Sequence, residues 1–158
     1  MTKVKLDRID RKILRDLQDD GRMTNVELAE RAGISAPPCL RRVRALEESG
    51  LIQGYHADVD FSAMGYRIRV FSQVGLANQS ESDLKNFEEL VEGWDMVREA
   101  YMISGEADFL LKIVAKDWDD YQHFLTETLT TAPNVSHVRS SLGVKVSKFK
   151  PGIPIDVS

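Results

Sequence analysis

One cysteine in 158 residues excludes an intrachain disulfide and fits a reducing cytoplasm, the expected location. No apolar run nears the roughly 18 residues of a membrane span, so no membrane partner is expected. Met1-Thr2-Lys3-Val4-Lys5 leads directly into a charged amphipathic stretch, unlike a signal peptide. Excess positive charge is also missing. The formal net charge is −4, which argues against a chain coated in nucleic-acid-binding surface. Catalytic motifs are absent too, with no Walker loop, GxSxG or GxGxxG. His56, His123 and His137 lie far apart and share no metal-ligand spacing with Cys39. Glu88-Glu89 and Asp119-Asp120 are adjacent pairs that point in different directions on expected helices. No catalytic residue, metal or cofactor is expected, and the chain does not read as an enzyme.

What is present is a pair of capped helices. Thr24 and Glu27 form a capping box, Val26, Leu28, Ala29 and Ala32 supply the apolar or small residues, and Gly33 stops the helix. Ser35 can cap a second helix with Pro37 and Pro38 in its first turn, where a missing amide proton costs nothing. Cys39 falls in that turn, the place of a small packing residue. Leu40, Val43 and Leu46 follow at helical spacing, and Gly50 ends the run. An earlier helix shows in Leu6, Ile9, Ile13, Leu14 and Leu17. Three such helices close a small core, and the last two form a helix-turn-helix, whose second helix enters the major groove of double-stranded DNA.

The charge distribution fits that reading. Residues 1–60 hold 11 basic and 11 acidic side chains, and the remainder carries the whole deficit. Within the neutral part Arg31, Arg41, Arg42 and Arg44 cluster, and a local basic face suffices to dock on phosphates. The expected DNA-binding residues are Ser35, Pro37, Arg41, Arg42 and Arg44. A solvated helix face would carry the same arginines.

Leu51 to His56 or Ala57 reads as a short strand closing a domain over 1–57, followed by a linker over 58–66 in which Phe61 and Met64 pack against something. A second domain, 67–150, alternates strands and helices as βαββαβ with an added edge strand at Val144 to Phe149, leaving 151–158 as a tail. The fold class is α+β, with the second domain ferredoxin-like. In that plan both helices cover one sheet face. Phe71 and Met102 are expected on the open face, which a second subunit would cover. Trp118, Tyr121, Phe124, Leu125 and Leu129 are expected inside.

Two stretches resemble the leucine-responsive/asparagine-responsive regulators (Lrp/AsnC, the feast/famine proteins). The first runs over Leu6-Asp7-Arg8-Ile9-Asp10-Arg11-Lys12-Ile13-Leu14, Leu28-Ala29 and Val43-Arg44-Ala45-Leu46-Glu47-Glu48-Ser49-Gly50-Leu51-Ile52. The second, Tyr101 to Lys112, contains the Ser-Gly-x-x-Asp turn. The resemblance extends from about Leu6 to Lys150. It implies a winged helix-turn-helix domain, a linker and a ligand-sensing domain that dimerises through its sheets, often into higher even assemblies such as octamers. It also implies an amino-acid effector near Ser104, Gly105 and Asp108, with Ser140 matching a hydroxyl that is more usually Thr.

The chemistry of the turn allows that role. Gly105 can expose backbone amides to a carboxylate, and Asp108 can pair with an ammonium. An ordinary turn would use the same residues, with Asp108 bonding the loop backbone. Two alternatives to an effector-responsive transcription regulator stay open. One is an architectural DNA-binding protein without ligand sensing. The other is a metabolite-binding partner module that does not bind DNA.

Overall fold

The computed structural model describes residues 5–158; residues 1–4, where the leader pattern was sought, lie outside them. The chain forms two compact units. One extends to Asp58 and also takes in Lys148–Ser158, and the other is Val59–Ser147.

Three helices build the first unit: α1 Arg8–Asp19, α2 Asn25–Ala32 and α3 Ala36–Glu48. Both expected caps of α2 are present, with Thr24 and Glu27 in a reciprocal box and Gly33 left-handed at φ 78°. Ile13, Leu28, Ala29, Cys39 and Leu46 are buried together. Asn25 Nδ2 donates to the Ala36 carbonyl at 2.9 Å and ties α2 to the start of α3.

Two expected strands are corrected. Residues 51–57 and 144–149 are irregular, because a strand exists only where a ladder partner accepts its backbone groups. Tyr55 holds the first of these segments against α3, its hydroxyl donating to Glu47 Oε1 at 2.9 Å. The second leads into a C-terminal segment that belongs to the first unit rather than forming a free tail. Gln18 exchanges two hydrogen bonds with the Ile153 backbone, at 2.7 and 3.0 Å, and Arg8 Nε donates to the Val157 carbonyl at 3.2 Å. Gly152, at φ 83°, is needed there: a Cβ would lie 2.2 Å from Gln18 Cδ.

The second unit runs β1 Ile68–Leu76, α4 Glu81–Glu92, β2 Val97–Met102, β3 Phe109–Ala115, α5 Trp118–Phe124 and β4 Val135–Leu142. Sheet order is β2-β3-β1-β4, with every pair antiparallel. This is the ferredoxin-like plan. Ser80 and Asp117 cap α4 and α5 through their side chains. A π-helical turn, Leu125–Leu129, continues α5, closed by the Thr130 amide on the Leu125 carbonyl at 2.9 Å. Alternate residues of β1 and β3, including Val70, Val74, Phe109, Leu111 and Ile113, meet Phe87, Tyr121 and Phe124 in the core.

Of the two side chains expected to pack, Phe61 lies under the Arg69 guanidinium at 5.0 Å, and Met64 is exposed. Two further placements differ from expectation. Trp118 is 52% exposed although Tyr121, three residues on, is fully buried. Its position at the first residue of α5 puts it at the rim of the core. Met102 faces the helices, paired opposite the buried Phe109, because an irregularity between Val97 and Glu99 shifts the phase of β2. Glu99 and Tyr101 therefore join Phe71 on the open face, opposite Lys112 and Leu110.

Candidate nucleic-acid interface and effector site

The second motif helix presents one exposed edge. Pro37, Leu40, Arg41 and Arg44 are exposed and recur at helical spacing, while Cys39 and Leu46 point into the core. No ion pair engages Arg41 or Arg44 among the described residues. Ser35 occupies the cap position with extended backbone but makes no side-chain cap bond, so its exposed hydroxyl stays available. Pro37 and Pro38 remove two of the amides a helix start otherwise offers to phosphate. Anion binding here therefore falls to side chains. Burial pushes the Cys39 thiol up, which keeps it protonated and marks it as a packing residue.

Arg42 behaves differently from its neighbours. Its Nη1 donates at 2.7 Å to both Asp7 Oδ2 and Asp10 Oδ1. The guanidinium is thus committed to the start of α1 and leaves the set of free cations on α3. Asp7 and Asp10 could have been noticed in the sequence as a capping box made of two acids, a like-charge pair that calls for a cation.

The Ser104–Asp108 turn joins β2 to β3. Gly105 adopts φ 138°, a conformation suited to glycine, with open space where a Cβ would stand. No backbone hydrogen bond engages the amides of Ser104, Gly105 or Glu106 among the described residues. Asp108 is anchored: its Oδ2 accepts from the Leu76 amide at 2.7 Å and from Gln79 Nε2 at 3.5 Å. Its own amide donates to the Val74 carbonyl at 2.9 Å and its carbonyl accepts from Ile103 at 2.9 Å. The carboxylate thus fastens the turn to the end of β1, as in the ordinary-turn reading. One oxygen, Oδ1, remains without an intrachain partner among the described residues. Gln79, which sequence reasoning missed, closes this corner by also donating to the Leu76 carbonyl at 2.8 Å.

Ser140 does not join that turn. It lies on β4, with β1 between it and β3, about 10 Å across the sheet from the Asp108 strand at ordinary strand spacing. Its hydroxyl shares a cluster with Ser72 and Tyr121, both fully buried. Buried hydroxyls need partners, and Ser140, exposed on the edge strand β4, bonds to both. A separate groove of roughly 480 Å³ lies between α4 and β2, floored by Val91, Val97, Met102 and Phe109. Neither Ser140 nor the turn lines it. Among the described residues no group of three or more His, Cys, Asp or Glu could hold a metal ion.

Comparison with known proteins agrees with both halves of this arrangement. A profile described as winged helix-turn-helix DNA-binding matches residues 6–53, and one described as Lrp/AsnC ligand binding domain matches residues 69–153. The leucine-responsive regulatory protein of Rhizobium meliloti is 55% identical over 148 residues, 94% of this chain and 95% of that protein. The Bkd operon transcriptional regulator of Pseudomonas aeruginosa is 42% identical over 150 residues, covering 95% and 98%. A transcriptional regulator of Neisseria meningitidis, solved as its L-Met complex, superposes with a TM-score of 0.92. It is 33% identical and covers 96% of this chain and 98% of its own. An AsnC family transcriptional regulator from Agrobacterium tumefaciens gives 0.88 at 34% identity, covering 94% and 97%. The chain therefore belongs to the Lrp/AsnC family, and it is a DNA-binding transcription regulator with a winged helix-turn-helix domain and a ligand-binding domain.

Proposed function

We propose that this regulator responds to an amino acid and reads duplex DNA as a homodimer or a higher even assembly such as an octamer. Ser35, Pro37, Arg41 and Arg44 form the contact edge, with the two arginines reaching bases or phosphates. The carrying observation for DNA contact is their exposure along one side of α3 without internal ion partners. The effector's carboxylate docks on the free amides at Ser104 and Gly105, and its ammonium meets Asp108 Oδ1. The L-Met complex of the Neisseria meningitidis relative supports an amino acid as the ligand class.

One chain supplies a single recognition helix, whereas a palindromic operator needs two, spaced by about one turn of DNA or a multiple. Phe71 and Tyr101, 40% and 53% exposed on the open sheet face, give a second copy something to cover. Among the described residues no helix is long and apolar enough to cross a membrane. The same reading puts the protein in the cytoplasm with its duplex.

A second reading has an observation in its favour. Asp108 and Ser140 are both engaged internally, as in a domain that only oligomerises. Calorimetry of the full chain with each of the twenty amino acids, repeated on Gly105→Val, separates the two. Saturable heat that Gly105→Val removes supports the effector site. No heat across the twenty amino acids, with duplex binding intact, supports the architectural reading.

A further inference from the structure

The capping box of α1 is built from two acids, Asp7 and Asp10, where that of α2 uses Thr24 and Glu27. Asp7 Oδ1 accepts from the Asp10 amide at 2.8 Å, and Asp10 Oδ2 accepts from the Asp7 amide at 3.1 Å. The box thereby holds two like charges within one helical turn, a destabilising pair unless a cation lies between them. Arg42 supplies that cation from the middle of α3. Its Nη1 takes the remaining oxygen of each carboxylate, Asp7 Oδ2 and Asp10 Oδ1, at 2.7 Å. All four carboxylate oxygens are then engaged. Successive helical residues are turned by about 100°, so Arg42 leaves α3 well away from Arg41 and Arg44. The network joins two helices that share little other polar contact, across 32 and 35 residues of sequence.

We propose that Arg42 is a positioning residue for DNA recognition: through Asp7 and Asp10 it sets the pose of α3 on α1, and it makes no contact with DNA. The apolar core of this three-helix unit is small and includes the short side chains Ala29 and Ala32 of α2 and Cys39 of α3. Such surfaces resist sliding and rotation less than a directed charge-assisted bond does. A recognition helix displaced by about 1 Å loses bonds to base edges, whose geometry is strict, before it loses phosphate attraction, which is diffuse. Arg42 therefore governs specific binding more than general affinity. The inference rests on α3 being the helix that enters the groove.

The test uses a duplex selected by the full-length wild-type protein from a random library, and an unrelated duplex of equal length. Arg42→Ala is compared with Asp7→Asn and with the pair Asp7→Asn/Asp10→Asn. Asn remains a good cap, so the acid variants preserve α1 while Asp7→Asn weakens the charge network and the pair dissolves it. All three should bind the selected duplex about 5- to 150-fold more weakly, the range of one lost base contact. Binding of the unrelated duplex, and its dependence on salt, should stay at wild-type values. The acid variants discriminate between the two roles. If Arg42 were a phosphate contact, freeing it and removing negative charge would tighten both duplexes. Such tightening overturns the proposal, and so does a salt slope lowered by about one in Arg42→Ala. Should Arg42→Ala fail to fold, Asp7→Asn/Asp10→Asn decides, and wild-type selectivity in it overturns the proposal. Arg41→Ala/Arg44→Ala is the control for the underlying assignment: unchanged selectivity there removes α3 from the groove, whatever the network variants do.

Discussion

Replacing Asp108 should separate its structural role from any role in binding the effector. In Asp108→Ala the buried Leu76 amide loses the acceptor now 2.7 Å away. Removing a charged acceptor of this kind costs about 1.5–3 kcal/mol. Asp108→Asn keeps a carbonyl oxygen for the same amide and should cost about 1 kcal/mol, since a neutral bond remains. Both tryptophans, Trp94 and Trp118, belong to the second unit. Trp94 packs edge-on against Phe87 and Phe124, at centroid distances of 5.8 and 5.6 Å. Tryptophan fluorescence in urea therefore reports this unit by itself. With the slopes usual for small domains, the Ala variant's midpoint should fall by about 1–2 M and the Asn variant's by less. Exchange of the Leu76 amide should accelerate in the Ala variant. A shift below about 0.3 M with unchanged Leu76 exchange would refute the anchoring role. The Asn variant then isolates the ligand contact, because it folds without the charge that an ammonium requires. Loss of amino-acid heat in a folded Asp108→Asn protein supports pairing at Oδ1, and wild-type heat leaves Asp108 as an anchor alone.

Arg41→Ala and Arg44→Ala should each weaken the selected duplex, by about 1–3 kcal/mol for a base contact or with a lower salt slope for a phosphate contact; binding isotherms at three salt concentrations distinguish these. Partial burial of its ring, then its bond to Glu47, pushes the Tyr55 phenol from 10.0 up to about 12. Its contribution to stability is thus full below pH 10 and lost as pH rises towards 12, and ultraviolet difference titration should show late tyrosine ionisation that Glu47→Gln makes earlier. Gly152→Val combines a strained positive φ with a clash on Gln18. It should release the C-terminal segment, seen as rapid hydrogen exchange at the Ile153 amide while the α3 amides stay protected.

Local chemistry made most of the fold legible in the sequence. Thr24 with Glu27, and Gly33, mark helix ends through neighbours three or four residues away, and those caps form as read. The βαββαβ order follows from segments of period two alternating with segments of helical period. The exposed arginines of α3 follow from the same reasoning, because an amphipathic helix with one apolar side shows its other side to solvent.

What only the tertiary structure decided involves partners far apart in the chain. Whether Arg42 is a free cation depends on two carboxylates 32 and 35 residues earlier, and helical periodicity does not reveal that contact. Asp108 is claimed by an amide 32 residues away, and Ser140 by hydroxyls at Ser72 and Tyr121. One irregularity in β2 moves Met102 to the helix side and Tyr101 to the open face, since a single-residue slip inverts every side chain beyond it. The segments at 51–57 and 144–149 have strand-like composition but no ladder. Strand formation is a property of a pair of segments, and composition describes only one of them.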